Sequence, residues 1–235
     1  MRRSDIWMVI FFAVSAALVV LAHENPFART ALCDVILACP RLDQGGFWKK
    51  LTYDVGMGSL MSIVFYALLV RVPEERKRRR LKASLTNHYR MFKEDSISLF
   101  VGAADGSYRP EHVKSLMDQS AFRTYFKEDV DGGGDRWGRA ITNLNDHTLQ
   151  ELIVGMEVFR DEITYVLDNG DIALDKAFEF LKSLSFSLHF ARSTAALDYD
   201  SAKQLARFYW RILSGWDWVT GYPEEDVVEA MIKTL

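Results

Sequence analysis

Two long apolar runs decide what this chain can become, and both lie within its first 72 residues. The first, IWMVIFFAVSAALVVLA, extends from Ile6 to Ala22 and is interrupted only by Ser15. The second, VGMGSLMSIVFYALLV, extends from Val55 to Val70 and reaches 20 residues if Leu51 to Asp54 join the same helix. A bilayer core of roughly 30 Å asks for about 20 helical residues, and about 17 is the short end. A core helix of a soluble protein carries a polar stripe at helical spacing. Neither run has one, so each needs apolar surroundings on all sides. The sequence therefore predicts two transmembrane helices. A cleaved signal peptide is the rival reading of the first run, with MRRSD as a charged lead and Val20-Leu21-Ala22 near a cleavage point. The length of its apolar core, with Trp7, Phe11 and Phe12, favours a retained anchor.

Basic residues orient the pair. Arg2 and Arg3 precede the first run, and Arg71, Arg76, Lys77, Arg78, Arg79, Arg80 and Lys82 follow the second. The intervening loop 23–53 balances Arg29, Arg41, Lys49 and Lys50 with acids. The positive-inside rule then places both termini in the cytoplasm and the loop outside. The basic cluster is expected to lie against anionic headgroups, at about 1 kcal/mol for each nearby cation. Cys33 and Cys39, the only cysteines, both fall in the exported loop and form a candidate disulfide for an oxidising compartment. Ala13 and Ala17 in the first run, and Gly58 and Ser62 in the second, have the four-residue spacing of small side chains that lets helices approach closely. No Lys, Arg, Asp or Glu lies deep in either run, which argues against a dedicated ion path.

The remainder of the chain is acidic. From Ala83 onward 16 Lys+Arg face 25 Asp+Glu, a net of −9, so nucleic acid is not expected as a partner. Pro73, Glu74 and Glu75 open a helix that the sequence extends to about residue 100 as a juxtamembrane stalk, with Leu81, Leu85, Tyr89, Phe92 and Ile97 along one side. Gly102, Gly106 and Pro110 then break the chain, and a further helix starts near Pro110. The loop EDVDGGGDRWG collects Glu128, Asp129, Asp131 and Asp135, but Gly133 and Ala140 stand where an EF-hand needs ligands. Leu149, Leu152, Ile153, Met156, Phe159, Ile163, Val166 and Leu167 recur at threes and fours, capped by Asn145 or Asp146 and ended by a left-handed Asn169-Gly170. Asp171 opens the next helix, whose apolar residues cover most of its girth and mark it as the bundle centre. Another helix runs from about Ser201 to Leu213, and a short one follows Pro223.

The expected fold class is thus all-α. Residues 1–72 form a two-helix transmembrane hairpin, 73–100 a basic segment and stalk, and 101–235 a cytoplasmic helical bundle. Catalytic, cofactor and metal sites are not expected: His147 and Glu151 lack a second ligand pair, His189 reads as a core or groove histidine, and no phosphate-cradling glycine loop occurs. Tyr209, Trp210, Trp216, Trp218 and Tyr222 form an aromatic cluster suited to an interface. In layout the chain resembles small two-span bacterial inner-membrane proteins whose cytosolic helical domain senses or recruits something, some of them effectors in phage defence. The reading that follows is a homo-oligomeric, non-enzymatic membrane scaffold for a soluble cytoplasmic protein. Its alternative is a membrane-disrupting effector triggered through the cytoplasmic domain.

Overall fold

A computed structural model describes residues 10–17, 19, 46–130, 134–170, 172, 175–193, 199–216, 221–223 and 225–235. The fold is all-α, with an isolated bridge between Asp129 and Asp135 beside the helices. Residues 10–17 are helical. The labelled helices are α1 (Gly46–Tyr66), α2 (Val72–Asp105), α3 (Pro110–Ser115), α4 (Gln119–Lys127), α5 (Arg136–Thr142), α6 (Asp146–Asn169), α7 (Asp175–Ser193), α8 (Tyr199–Ser214) and α9 (Val227–Thr234). A single π-helical turn, Ala67–Arg71, joins α1 to α2, closed by the Val72 N–H on the Ala67 carbonyl. The backbone is consequently helical without a break from Gly46 to Asp105. Two compact units divide the chain, Met1–Arg76 and Lys77–Leu235.

Among the described residues one helical run, Lys50–Asp105, is long and apolar enough to cross a membrane, with a mean hydropathy of 1.8 over an apolar 18-residue window. Leu51 to Val70 alone would rise about 30 Å at about 1.5 Å per residue, matching the hydrocarbon thickness. Its bulky side chains are bare: Met61, Phe65, Leu68 and Leu69 are all exposed. Each such side chain left in water forgoes about 1.5–3 kcal/mol of burial, so this surface requires lipid or protein cover. The small-residue contact differs from expectation. A Cβ added at Gly56 would lie 2.8 Å from Val19 Cγ2 and 3.3 Å from the Ser15 carbonyl, whereas one at Gly58 would meet nothing within 4 Å. Ser15 is buried, Ala13 is exposed, and the Ser62 hydroxyl donates back to the Gly58 carbonyl of its own helix. Spacing alone marks two faces of α1, and Gly56 lies on the one that packs. Cys33 and Cys39 lie outside the described residues.

The second unit is built around α2. Ten of its residues are buried, from Leu81 through Ala104. The expected stalk side, Leu81, Leu85, Tyr89, Phe92 and Ile97, is therefore core rather than a free-standing strut. α6 presents the anticipated stripe, with Leu149, Leu152, Met156, Phe159, Ile163 and Val166 buried. Asn145 caps it by accepting from Thr148 N–H at 2.8 Å. It ends differently from expectation: Gly170 is extended at φ −92° rather than left-handed.

α6 and α7 run antiparallel, since Arg192 reaches Glu157, Arg160 lies 3.4 Å from His189, and Thr164 lies 3.5 Å from Ser185. α7 packs against α6, α8 and α9, but it does not bury its whole girth. Ala177, Leu181, Leu188 and Ala191 form one buried stripe, while Phe178, Phe186 and Phe190 are exposed. His189 is likewise exposed rather than a core residue. A helix apolar on every side gives no internal signal of which face the fold will use, and here the surplus face stays outside.

α9 is fastened to α2 at both ends. At its N-terminus Asp226 accepts from Val228 and Glu229 N–H at 3.0 and 3.2 Å. The same carboxylate pairs with Lys93 Nζ at 2.9 Å and accepts from the Tyr89 hydroxyl at 2.9 Å. At its C-terminus Arg78 donates to the Leu235 carbonyl and Lys82 to the Lys233 carbonyl. Cations suit the negative end of a helix dipole and its unsatisfied carbonyls. Two of the seven residues assigned to the membrane collar thus serve the fold of the second unit instead.

Candidate functional sites

Two concave features of the second unit bring apolar rings and polar groups together. The first is a groove of about 600 Å³ between α2 and α6. Phe92 and Phe159 form its floor, stacked at 5.0 Å between ring centroids. Met91, Tyr108, Val154 and Val158 are exposed along it, and Asp95, Glu151, His88 and His147 add polar groups. Partial desolvation, and then the neighbouring Glu94, raise the Asp95 carboxyl above the ordinary carboxylate value, although much of the side chain still meets water. Gly155 lies in the middle of α6 and lines the same groove, yet a Cβ there would meet nothing within 4 Å. Glycine inside a helix costs about 1 kcal/mol relative to alanine. Packing within this chain does not call for it.

The second feature is a cavity of about 300 Å³ lined by Trp137 of α5, Trp210 of α8 and Trp216 just beyond it. Lys127, Arg207 and Arg211 stand around these rings, and Asp135 is the only acid among the described residues of the lining. The walls are held from behind. Trp137 packs on Phe100 at 4.5 Å, Phe126 at 5.3 Å and Trp210 at 5.0 Å, and Trp210 packs on Phe122 at 5.7 Å. Asp135 caps α5 by accepting from Gly138 N–H at 2.8 Å. Arg136 ties the same corner together through Glu128 at 2.6 Å and the Tyr125 carbonyl at 3.0 Å. Gly215, at φ +69°, turns the chain out of α8 and sets the position of Trp216. Gln119 Nε2 and Arg123 Nη1 cap the end of α8 by donating to the Ile212 and Ser214 carbonyls.

The aromatic cluster expected as one interface is divided among several roles. Tyr209 is 0 % exposed, and its hydroxyl donates to the Leu152 carbonyl at 2.6 Å, so it belongs to the core. Trp210 and Trp216 line the cavity, and Tyr222 lies under Arg123 and Lys127 with cation-to-ring distances of 4.6 and 4.9 Å. Trp218 lies outside the described residues. The sequence reading missed Trp137, Lys127, Arg207 and Arg211, which are scattered along the chain and meet only in the fold. The available signal was the pair Arg207 and Arg211, four apart on one helix face beside Trp210 in an acidic body.

Asp131, one of the acids of the glycine loop, is outside the described residues. Among the described residues no group of three or more His, Cys, Asp or Glu is placed to hold a metal ion. His147 stands exposed with Glu151 3.8 Å away. No family model matches the chain, and no curated protein or solved structure matches it either.

Proposed function

We propose that this chain is a membrane-anchored, non-enzymatic interaction protein. Two apolar helices hold it in a bacterial inner membrane as a hairpin with both termini in the cytoplasm, and the helical body recruits a soluble protein. The close approach of Ser15 and Val19 to Gly56 supports the hairpin. The cations of the 71–82 segment that are not engaged with α9 support its orientation. The exposed phenylalanine face of α7 supports self-association.

The observation that carries the recruitment reading is Gly155, an interior helical glycine with open space above it in an apolar groove. Such a position is useful when another backbone must come close. The groove suits an amphipathic helix with i, i+4 apolar anchors. The acidic residues at its rim, Asp95 and Glu151, favour a basic flank on that helix. Gly155→Ala should raise the melting temperature, because alanine is the better helix former, while Gly155→Leu and Val158→Asp should remove the partner recovered by in-membrane crosslinking. An unchanged crosslinked set in both of the latter variants would dismiss the groove as the recruiting surface.

A second reading, the membrane-disrupting effector, is favoured by one specific feature. The apolar stretch and ten buried residues of the body belong to one unbroken helical run, Gly46 to Asp105. Its test is membrane potential: overexpression should depolarise cells, and deletion of residues 1–72 should abolish the signal.

A further inference from the structure

We infer that the tryptophan-lined cavity is a binding site for a mononucleotide, that is, one flat heterocyclic ring carrying a phosphate. The inference is independent of the recruiting groove. The body from Ala83 onward carries a net of −9, yet the charged groups among the described residues of this cavity are three cations and one acid. Arg207 and Arg211 are four apart on α8, where like charges repel by a few tenths of a kcal/mol, and neither has an ion-pair partner among the described residues. A site that accumulates unneutralised guanidinium groups is matched to an anion, and the planar fork of arginine matches phosphate oxygens two at a time.

Phosphate alone does not account for the lining. Trp137, Trp210 and Trp216 give the cavity flat apolar faces, on which a nucleic-acid base stacks for about 1–3 kcal/mol. The packing behind Trp137 and Trp210 fixes those rings before any ligand arrives, so little ordering is required on binding. Asp135 spends one oxygen on its helix cap and keeps acceptor capacity for a ring amine or a ribose hydroxyl. Size sets the upper limit. About 300 Å³ is the lower end of ligand cavities, enough for one base, sugar and phosphate and too small for two.

The test uses the full chain in detergent, with tryptophan fluorescence and calorimetry as readouts. The probes are AMP, GMP, CMP and UMP, with adenosine, guanosine, inorganic phosphate and a short single-stranded oligonucleotide as separate arms. At least one mononucleotide should quench fluorescence saturably. It should bind about tenfold or more tightly than its nucleoside or inorganic phosphate, a difference of about 1.4 kcal/mol. Binding should weaken as salt screens the cations. Arg207→Gln with Arg211→Gln, both exposed positions, should weaken it about tenfold or more without lowering the melting temperature, and Lys127→Gln should act in the same direction. The inference is overturned if no mononucleotide saturates, if phosphate or nucleoside alone binds equally well, if only the oligonucleotide binds, or if the arginine variants bind as the wild type does.

Discussion

Replacing Lys93 by Met removes one charge from a buried pair while keeping the length of the stem. Lys93 is 3 % exposed and Asp226 9 %, and their closest approach is 2.9 Å. Deleting one partner of a buried pair costs about 3–5 kcal/mol, mostly from the charge left behind. Asp226 would retain the Tyr89 hydroxyl and the Val228 and Glu229 N–H groups, so the lower end applies, about 3 kcal/mol. The unit Lys77–Leu235 is in the size range where 1 kcal/mol moves the midpoint by about 2–4 °C. Lys93→Met should therefore lower the melting temperature by about 6–12 °C, read by far-ultraviolet circular dichroism of the detergent-solubilised chain. Asp226→Asn alone should cost a similar amount, because Lys93 then keeps only the partly exposed Glu229 carboxylate at 3.7 Å. The double variant should be milder than the sum by at least about 1.5 kcal/mol, since the two residues act as one unit. A single-variant shift below about 2 °C, or strict additivity, would refute the claim that this pair holds α9 to α2.

Gly215→Ala should destabilise the chain by about 1–3 kcal/mol in a urea melt, because φ is +69° and the new Cβ would lie 2.2 Å from Gln119 Oε1. Trp210→Ala should cost about 3 kcal/mol through the lost packing on Phe122 and Trp137 and leave the detergent-complex mass unchanged in light scattering. Stability should fall as pH rises past about 10. Burial raises the Tyr89 and Tyr209 hydroxyls above the ordinary tyrosine value of about 10, with the Asp226 charge adding to the effect at Tyr89, so only the unfolded chain ionises there. That contribution is fully present below pH 10, and melting curves at pH 8, 10 and 11 should show it being lost at the upper two. Gly56→Leu should lower the melting temperature of the detergent-solubilised chain, because even a Cβ there would lie 2.8 Å from Val19 Cγ2, and an unchanged melting temperature would contradict the packing within the first unit.

What the sequence made legible is local. The period of three and four in α6, the Asn145 cap, the proline that opens α3 and the short helix after Pro223 all depend on neighbours a few residues apart. Long-range choices were not legible. Arg78 and Lys82 read as part of a membrane collar, since nothing nearby in sequence announces the C-terminal carbonyls of α9 more than 150 residues away. α7 is apolar on most sides, so its pattern left open which stripe would be buried. Trp210 and Trp216 stood out because aromatic residues crowd that stretch, while Trp137 stood alone in its own segment. α4 and α5 were not anticipated, being only 9 and 7 residues long around a glycine-rich loop. Short helices depend on caps and tertiary packing more than on periodicity, and Asp118 and Asp135 supply those caps.

The most direct measurement of the account is the location of the C-terminus in intact cells, using a tandem alkaline phosphatase and green fluorescent protein reporter fused after Leu235. A membrane-embedded hairpin with its body inside predicts bright fluorescence, no phosphatase activity, and a fusion that stays in the membrane pellet through a carbonate wash. Active phosphatase with dark fluorescent protein, or a fusion released by the wash, would contradict it.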